Sequence, residues 1–161
     1  DQQRRRTRTG RTAISGSRMM SEHSEEEILT FLHKHLRSVF TRDVDTYTAT
    51  TSEELSLYEW WVTPHRQDGL DFHLFMIENS WSGTTGEFRY DLLEPRVQIY
   101  GDTAVVSYTF MLSRVEEDGS ISHQTHNESR VLVFENGRWQ IVHVHKSPAY
   151  GAPYAPGTID F

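Results

Sequence analysis

The second half of the chain limits the fold most. From residue 87 onward it reads as four long runs, "FRYDLLEPRVQIY", "TAVVSYTFMLSRV", "SISHQTHNESRVLVFE" and "RWQIVHVHK", divided by Gly101-Asp102, Asp118-Gly119 and Asn136-Gly137. Apolar and polar residues alternate along these runs, as they do in half-buried strands, and the dividing dipeptides suit the positive φ of tight hairpins. Asn-Gly is the strongest of the three signals. The spacing predicts a four-stranded antiparallel meander, with a bend or bulge at Pro95, which cannot donate to a ladder.

The first half supplies helices. Ser24 and Glu27 form a capping box, Glu25, Glu26 and Glu27 sit at the positive end of the dipole, and Ile28, Leu32, Leu36 and Val39 draw an apolar stripe. This predicts a helix over 24–41. "DVDTYTAT" reads as a short helix or turn, and "LSLYEWWV", residues 55–62, as a strand added at a sheet edge before Pro64. "GLDFHLFMIENSW", residues 69–81, places Leu70, Leu74, Ile77 and Trp81 at a helical period. His73, Ile77 and Trp81 are spaced four apart, so a polar ring joins the apolar surface. Two or three helices on one face of a strongly curved antiparallel sheet make an α+β cone with a pocket between helix and sheet.

Composition narrows the class. A chain of 161 residues suits one domain, and no apolar run approaches bilayer length. The absence of cysteine removes disulfides, thiolate nucleophiles and cysteine metal sites, and favours an intracellular, cytoplasmic setting. The net charge of −7 divides unevenly, +5 over residues 1–20 and −12 beyond. An acidic body argues against a nucleic-acid groove, which needs clustered Lys and Arg. Residues 1–20 read as a flexible basic arm, 21–150 as the folded domain and 151–161 as a C-terminal tail. Met19 and Met20 fit a translation start after an added arm; an arm native to the chain fits as well.

"GLDFHLFMIENSW" and "ESRVLVFENGRWQIVHVHKSPAY", with "DVDTYT" before them and "YGDTA" between them, resemble the association, or hub, domain of calcium/calmodulin-dependent protein kinase II, within the nuclear transport factor 2-like superfamily. The resemblance spans roughly residues 24–150. It implies the cone fold and a function in assembly: dimers that close into stacked homo-oligomeric rings, holding kinase domains at their periphery. No cofactor is implied. Four tryptophans and seven tyrosines agree with large interfaces.

The resemblance also implies a ligand pocket formed by Tyr47, His73, Trp81, Phe110, Arg130 and Lys146. Hub domains of the family bind small carboxylic acids, and two cations sharing a desolvated cavity favour a carboxylate or an acidic side chain. Phe110 stands where the family has an arginine, which removes one donor. Arg130 has a purely structural alternative, a salt bridge to Glu128 or Glu78. A strict two-residue turn at Asn136-Gly137 sets Arg130 opposite His143, so sharing a wall with Lys146 requires a bulge.

Two other chemistries are open to these residues. His143 and His145 alternate onto one face, with His123 and His126 on the adjacent strand, but nothing fixes a further ligand beside them, and no metal site is expected. An enzyme of the ketosteroid isomerase, dehydratase or polyketide cyclase type on the same fold would draw on His73, Tyr58, Asp91 and Glu128. Cations in the pocket disfavour it. A kinase is excluded for these residues, which contain neither a Gly-rich loop nor an H-R-D or D-F-G motif.

Overall fold

The computed structural model describes residues 22–79 and 87–149. The basic arm over 1–20, the C-terminal tail over 151–161 and Trp81 lie outside the described residues. The order of elements is α1 (Glu25–Phe40), α2 (Val44–Thr50), β1 (Thr51–Glu59), β2 (Gln67–Asp68), α3 (Asp71–Asn79), β3 (Phe88–Tyr100), β4 (Thr103–Val115), β5 (Ile121–Glu135) and β6 (Arg138–Pro148).

α1 starts where its cap predicts. Ser24 accepts a hydrogen bond from the Glu27 amide at 3.1 Å, and the Glu27 carboxylate reaches back to the Ser24 amide at 3.4 Å. Glu27 also accepts from the Trp139 indole at 3.0 Å, so the same side chain ties the helix start to β6. Ile28, Leu32 and Leu36 are at most 3% exposed. Each contributes about 1.5–3 kcal/mol relative to exposure. His35 lies on the same inward stripe and is 2% exposed.

The strands β3 to β6 form the expected meander. Asn136 and Gly137, at φ 54° and 77°, make the primed turn between β5 and β6, and Gly101, at φ 62°, opens the turn between β3 and β4. The β3–β4 register shifts between Leu93 and Arg96, with Glu94 at φ 50°, so the irregularity falls at Pro95.

The sheet differs from the sequence reading around β1, which is not an edge strand but lies between β6 and the short β2. It has six strands in the order β2-β1-β6-β5-β4-β3, and β1 runs parallel to β6, so it is mixed rather than antiparallel throughout. Parallel neighbours need a long crossover, and everything from β2 to β5 serves as one. The strand expected over 55–62 instead follows α2 directly from Thr51 and stops at Glu59, whose carbonyl accepts the amides of Val62 and Thr63 at 3.0 and 3.2 Å. Among the described residues no helix is long and apolar enough to cross a membrane.

Candidate functional site

A cavity of about 540 Å³ lies between the helices and the inner face of the sheet. Every expected pocket residue that is described, namely Tyr47, His73, Phe110, Arg130 and Lys146, lines it. Their convergence follows from parity. On β4, residues 104, 106, 108, 110 and 112 are buried in alternation, on β5 residues 128, 130 and 132, and on β6 residues 144 and 146.

Arg130 and Lys146 share a wall because β5–β6 pairing shifts between Val131 and Leu132: Val131 faces His143, while Leu132 faces Ile141. Val142 is the extra residue. Arg130 therefore sits opposite Val144, and Lys146 opposite Glu128. The bulge that the sequence requires is present.

Neither cation faces the cavity alone. Arg130 pairs with Glu128 at 3.0 Å, and Lys146 pairs with Glu59 at 2.5 Å and lies 3.9 Å from Glu128. The structural salt bridge is thus realised with Glu128, whereas Glu78 is exposed on α3. Glu128 also accepts from the Tyr108 hydroxyl and from His126 Nε2, the latter at 2.7 Å. Burial pushes the Glu128 carboxyl up, but Arg130 and Lys146 outweigh it and hold the group well below the usual range. Burial raises the Glu59 carboxyl too, and Lys146 brings it below its ordinary value. The floor of the cavity is therefore a balanced set of two cations and two carboxylates.

The histidines on the floor are neutral. Arg130 Nη1 donates to His35 Nε2 at 3.2 Å, which leaves the His35 proton on Nδ1, directed at Thr50 Oγ1 at 2.8 Å. Burial, with Arg130 beside it, pushes His35 well below its ordinary value. Tyr47 and His73 Nδ1 are hydrogen-bonded, and burial pushes His73 down to about 4. His73 is 6% exposed on the inner face of α3 with Ile77, so it belongs to the cavity wall.

Aromatic rings form the next layer outward. Phe110 stacks with Phe40, Tyr90 and His126 at centroid distances of 5.8, 5.7 and 5.1 Å, and Lys146 Nζ lies 5.1 Å from the Trp61 ring centroid. Trp60 and Trp61 also line the cavity and are 39% and 44% exposed.

The residues of the rival chemistries do not converge. Tyr58 packs its ring 5.0 Å from His145, on the side of β1 opposite Leu57 and Glu59, and Asp91 pairs with Arg89 at 2.7 Å on β3. Only His73 and Glu128 of the enzyme set reach the cavity. His143 bonds Ser56 at 2.7 Å and His123 bonds Ser113 at 2.7 Å, while His126 is held by Glu128. Among the described residues no group of three or more His, Asp or Glu is placed to hold a metal ion.

Sequence reasoning misses four contributors: His35, Glu59, Tyr108 and Arg114. Each carries a readable signal. His35 falls on the α1 stripe seven residues after Ile28, Glu59 continues the Leu55–Leu57 alternation, and Tyr108 and Arg114 share parity with Phe110.

The sequence pattern of the calcium/calmodulin dependent protein kinase II association domain matches residues 24–150. The delta subunit of calcium/calmodulin-dependent protein kinase type II from Oryctolagus cuniculus is 26% identical over 136 residues. The match covers 84% of this chain and 26% of that protein, so the chain spans about a quarter of the relative's length. The calcium/calmodulin-dependent protein kinase II hub of S. rosetta superposes with a TM-score of 0.67 at 30% identity, covering 76% of this chain and 94% of that one. A nuclear transport factor 2-like superfamily protein from Salmonella enterica superposes with a TM-score of 0.64 at 25% identity, covering 82% and 95%. The helices, the mixed sheet and the sequence of residues 24–150 agree: the chain belongs to the calcium/calmodulin-dependent protein kinase II association domain family.

Proposed function

We propose that the chain is an oligomerisation hub that assembles with copies of itself, pairs closing into stacked rings, in a cytoplasmic setting. Kinase domains tethered to such rings are the proposed partners. The observation that carries this reading is the outer face of α3, where Phe72 and Phe75 are 47% and 60% exposed although their helix has already buried His73 and Ile77. Large apolar side chains left outside one protomer's core suit a contact with another. Closure needs a self-complementary contact for the pair and further contacts around the ring. Light scattering on the size-fractionated chain tests this: a discrete particle of many 18.8 kDa protomers supports it, and a monomer overturns it.

The cavity is the second part of the proposal, as a site for a small carboxylic acid or an acidic side chain. Cations on its walls support this reading, although an acid at the floor would compete with Glu128 and Glu59 for Arg130 and Lys146. The isomerase or cyclase alternative draws less support. A general base works best with a pKa near the operating pH, and His73 at about 4 and Glu128 well below the carboxylate range are both far from it.

A further inference from the structure

The cavity carries a third cation. Arg114 lines it near the end of β4, backbone-paired with Phe88 on one side and Ser122 on the other. No carboxylate lies within ion-pair distance of Arg114 among the described residues, and its Nε is buried without a hydrogen-bond partner. Tyr108, beside the floor network, is six residues away on the same strand, or about 20 Å at strand rise. Phe110 and Leu112 occupy the intervening inward positions and are 3% and 5% exposed. The cavity thus grades from a charge-balanced floor through an apolar waist to a cationic rim.

We infer that Arg114 is the anion anchor of this cavity, and that the cavity takes an amphipathic anion whose carboxylate sits at the rim while its chain or ring lies along Phe110 and Leu112. This rests on the reading of the cavity as a ligand site. A carboxylate sent to the floor must take Arg130 from Glu128, which holds it at 3.0 Å, or Lys146 from Glu59 at 2.5 Å. At Arg114 it meets no competing carboxylate and gains a fork of parallel donors matched to its two oxygens. Exposed Gln124, on the neighbouring strand and also lining the cavity, offers a further amide donor. The apolar part of the ligand gains from leaving water along the waist, so head and tail both contribute.

Isothermal titration calorimetry on the assembled full chain at pH 7 tests the inference. Octanoate represents a chain, 3-phenylpropionate a ring, acetate the head alone and octanamide the uncharged tail. At least one of the two long acids is expected to bind ten-fold or more tightly than acetate and octanamide. Arg114→Gln is expected to weaken that acid at least ten-fold without changing octanamide, whereas Arg114→Lys, which keeps the charge but loses the fork of donors, falls between Arg114→Gln and the parent. Arg89→Gln, which removes an exposed cation on β3, leaves binding unchanged. Circular dichroism and particle mass confirm that each variant is folded and assembled. Unchanged binding in Arg114→Gln, with loss in Lys146→Met, overturns the anchor and leaves the cavity reading standing. No binding of either long acid by the parent chain overturns both.

Discussion

Replacing Glu128 by Gln should destabilise the fold severely while changing almost no volume. The Glu128 side chain is 3% exposed and that of Arg130 5%, and Glu128 is the one carboxylate within 4 Å of Arg130 among the described residues. Tyr108 donates to one Glu128 oxygen and His126 to the other, so a glutamine keeps an acceptor for only one of them and also removes the charge opposite Arg130. Lys146 retains Glu59 at 2.5 Å. Stranding one member of a buried pair costs about 3–5 kcal/mol, a large part of a typical 5–15 kcal/mol stability. Urea unfolding followed by tryptophan fluorescence, at one fixed protomer concentration because assembly is linked to folding, measures the cost. Arg130→Met removes the other partner, and the double variant should recover at least about 2 kcal/mol of the summed single losses, since no buried charge is then stranded. A loss below about 1 kcal/mol for Glu128→Gln, or strict additivity in the double variant, refutes the view that these two charges sustain each other.

Three further outcomes follow from the same geometry. His73 has its pKa depressed from 6.5 to about 4, so its contribution is fully present above pH 6.5 and is lost as pH falls through about 4; this amounts to about 3 kcal/mol, visible as falling urea midpoints over that window and contradicted by flat ones. His35, pushed down by burial, and the lowered carboxyls of Glu59 and Glu128 act in the same direction at the acid end. Ser24→Ala should cost about 1 kcal/mol as a lost cap, and Glu27→Ala more, because Trp139 also loses its acceptor; equal midpoints for the two variants count against the link to β6. Phe75→Glu, at a position 60% exposed, should lower particle mass while the circular dichroism of the protomer persists, and an unchanged mass removes α3 from the interface.

The parts of the fold that the sequence makes legible are those with local periodicity. Capping residues mark the start of α1, alternation marks the inward residues of β4 to β6, and Asn136-Gly137 marks their last turn. The bulge at Val142 is legible only because two residues on facing strands, Arg130 and Lys146, are expected on one wall. The placement of β1 beside β6 leaves no local trace, since a parallel pair has no turn to set its register and about half the chain intervenes. The site is legible in its membership but not in its charge. Glu59 stands in an aromatic stretch, "LSLYEWWV", and its pairing with Lys146 depends on that same nonlocal strand contact. Arg114 is hidden differently: parity puts it on the cavity side, but the lack of a carboxylate beside it can be seen only in three dimensions.

The mass of the particle in dilute buffer tests the central claim most directly. Size-exclusion chromatography with multi-angle light scattering at micromolar protomer should give one discrete species weighing many times 18.8 kDa. A folded species of 18.8 kDa under the same conditions contradicts it.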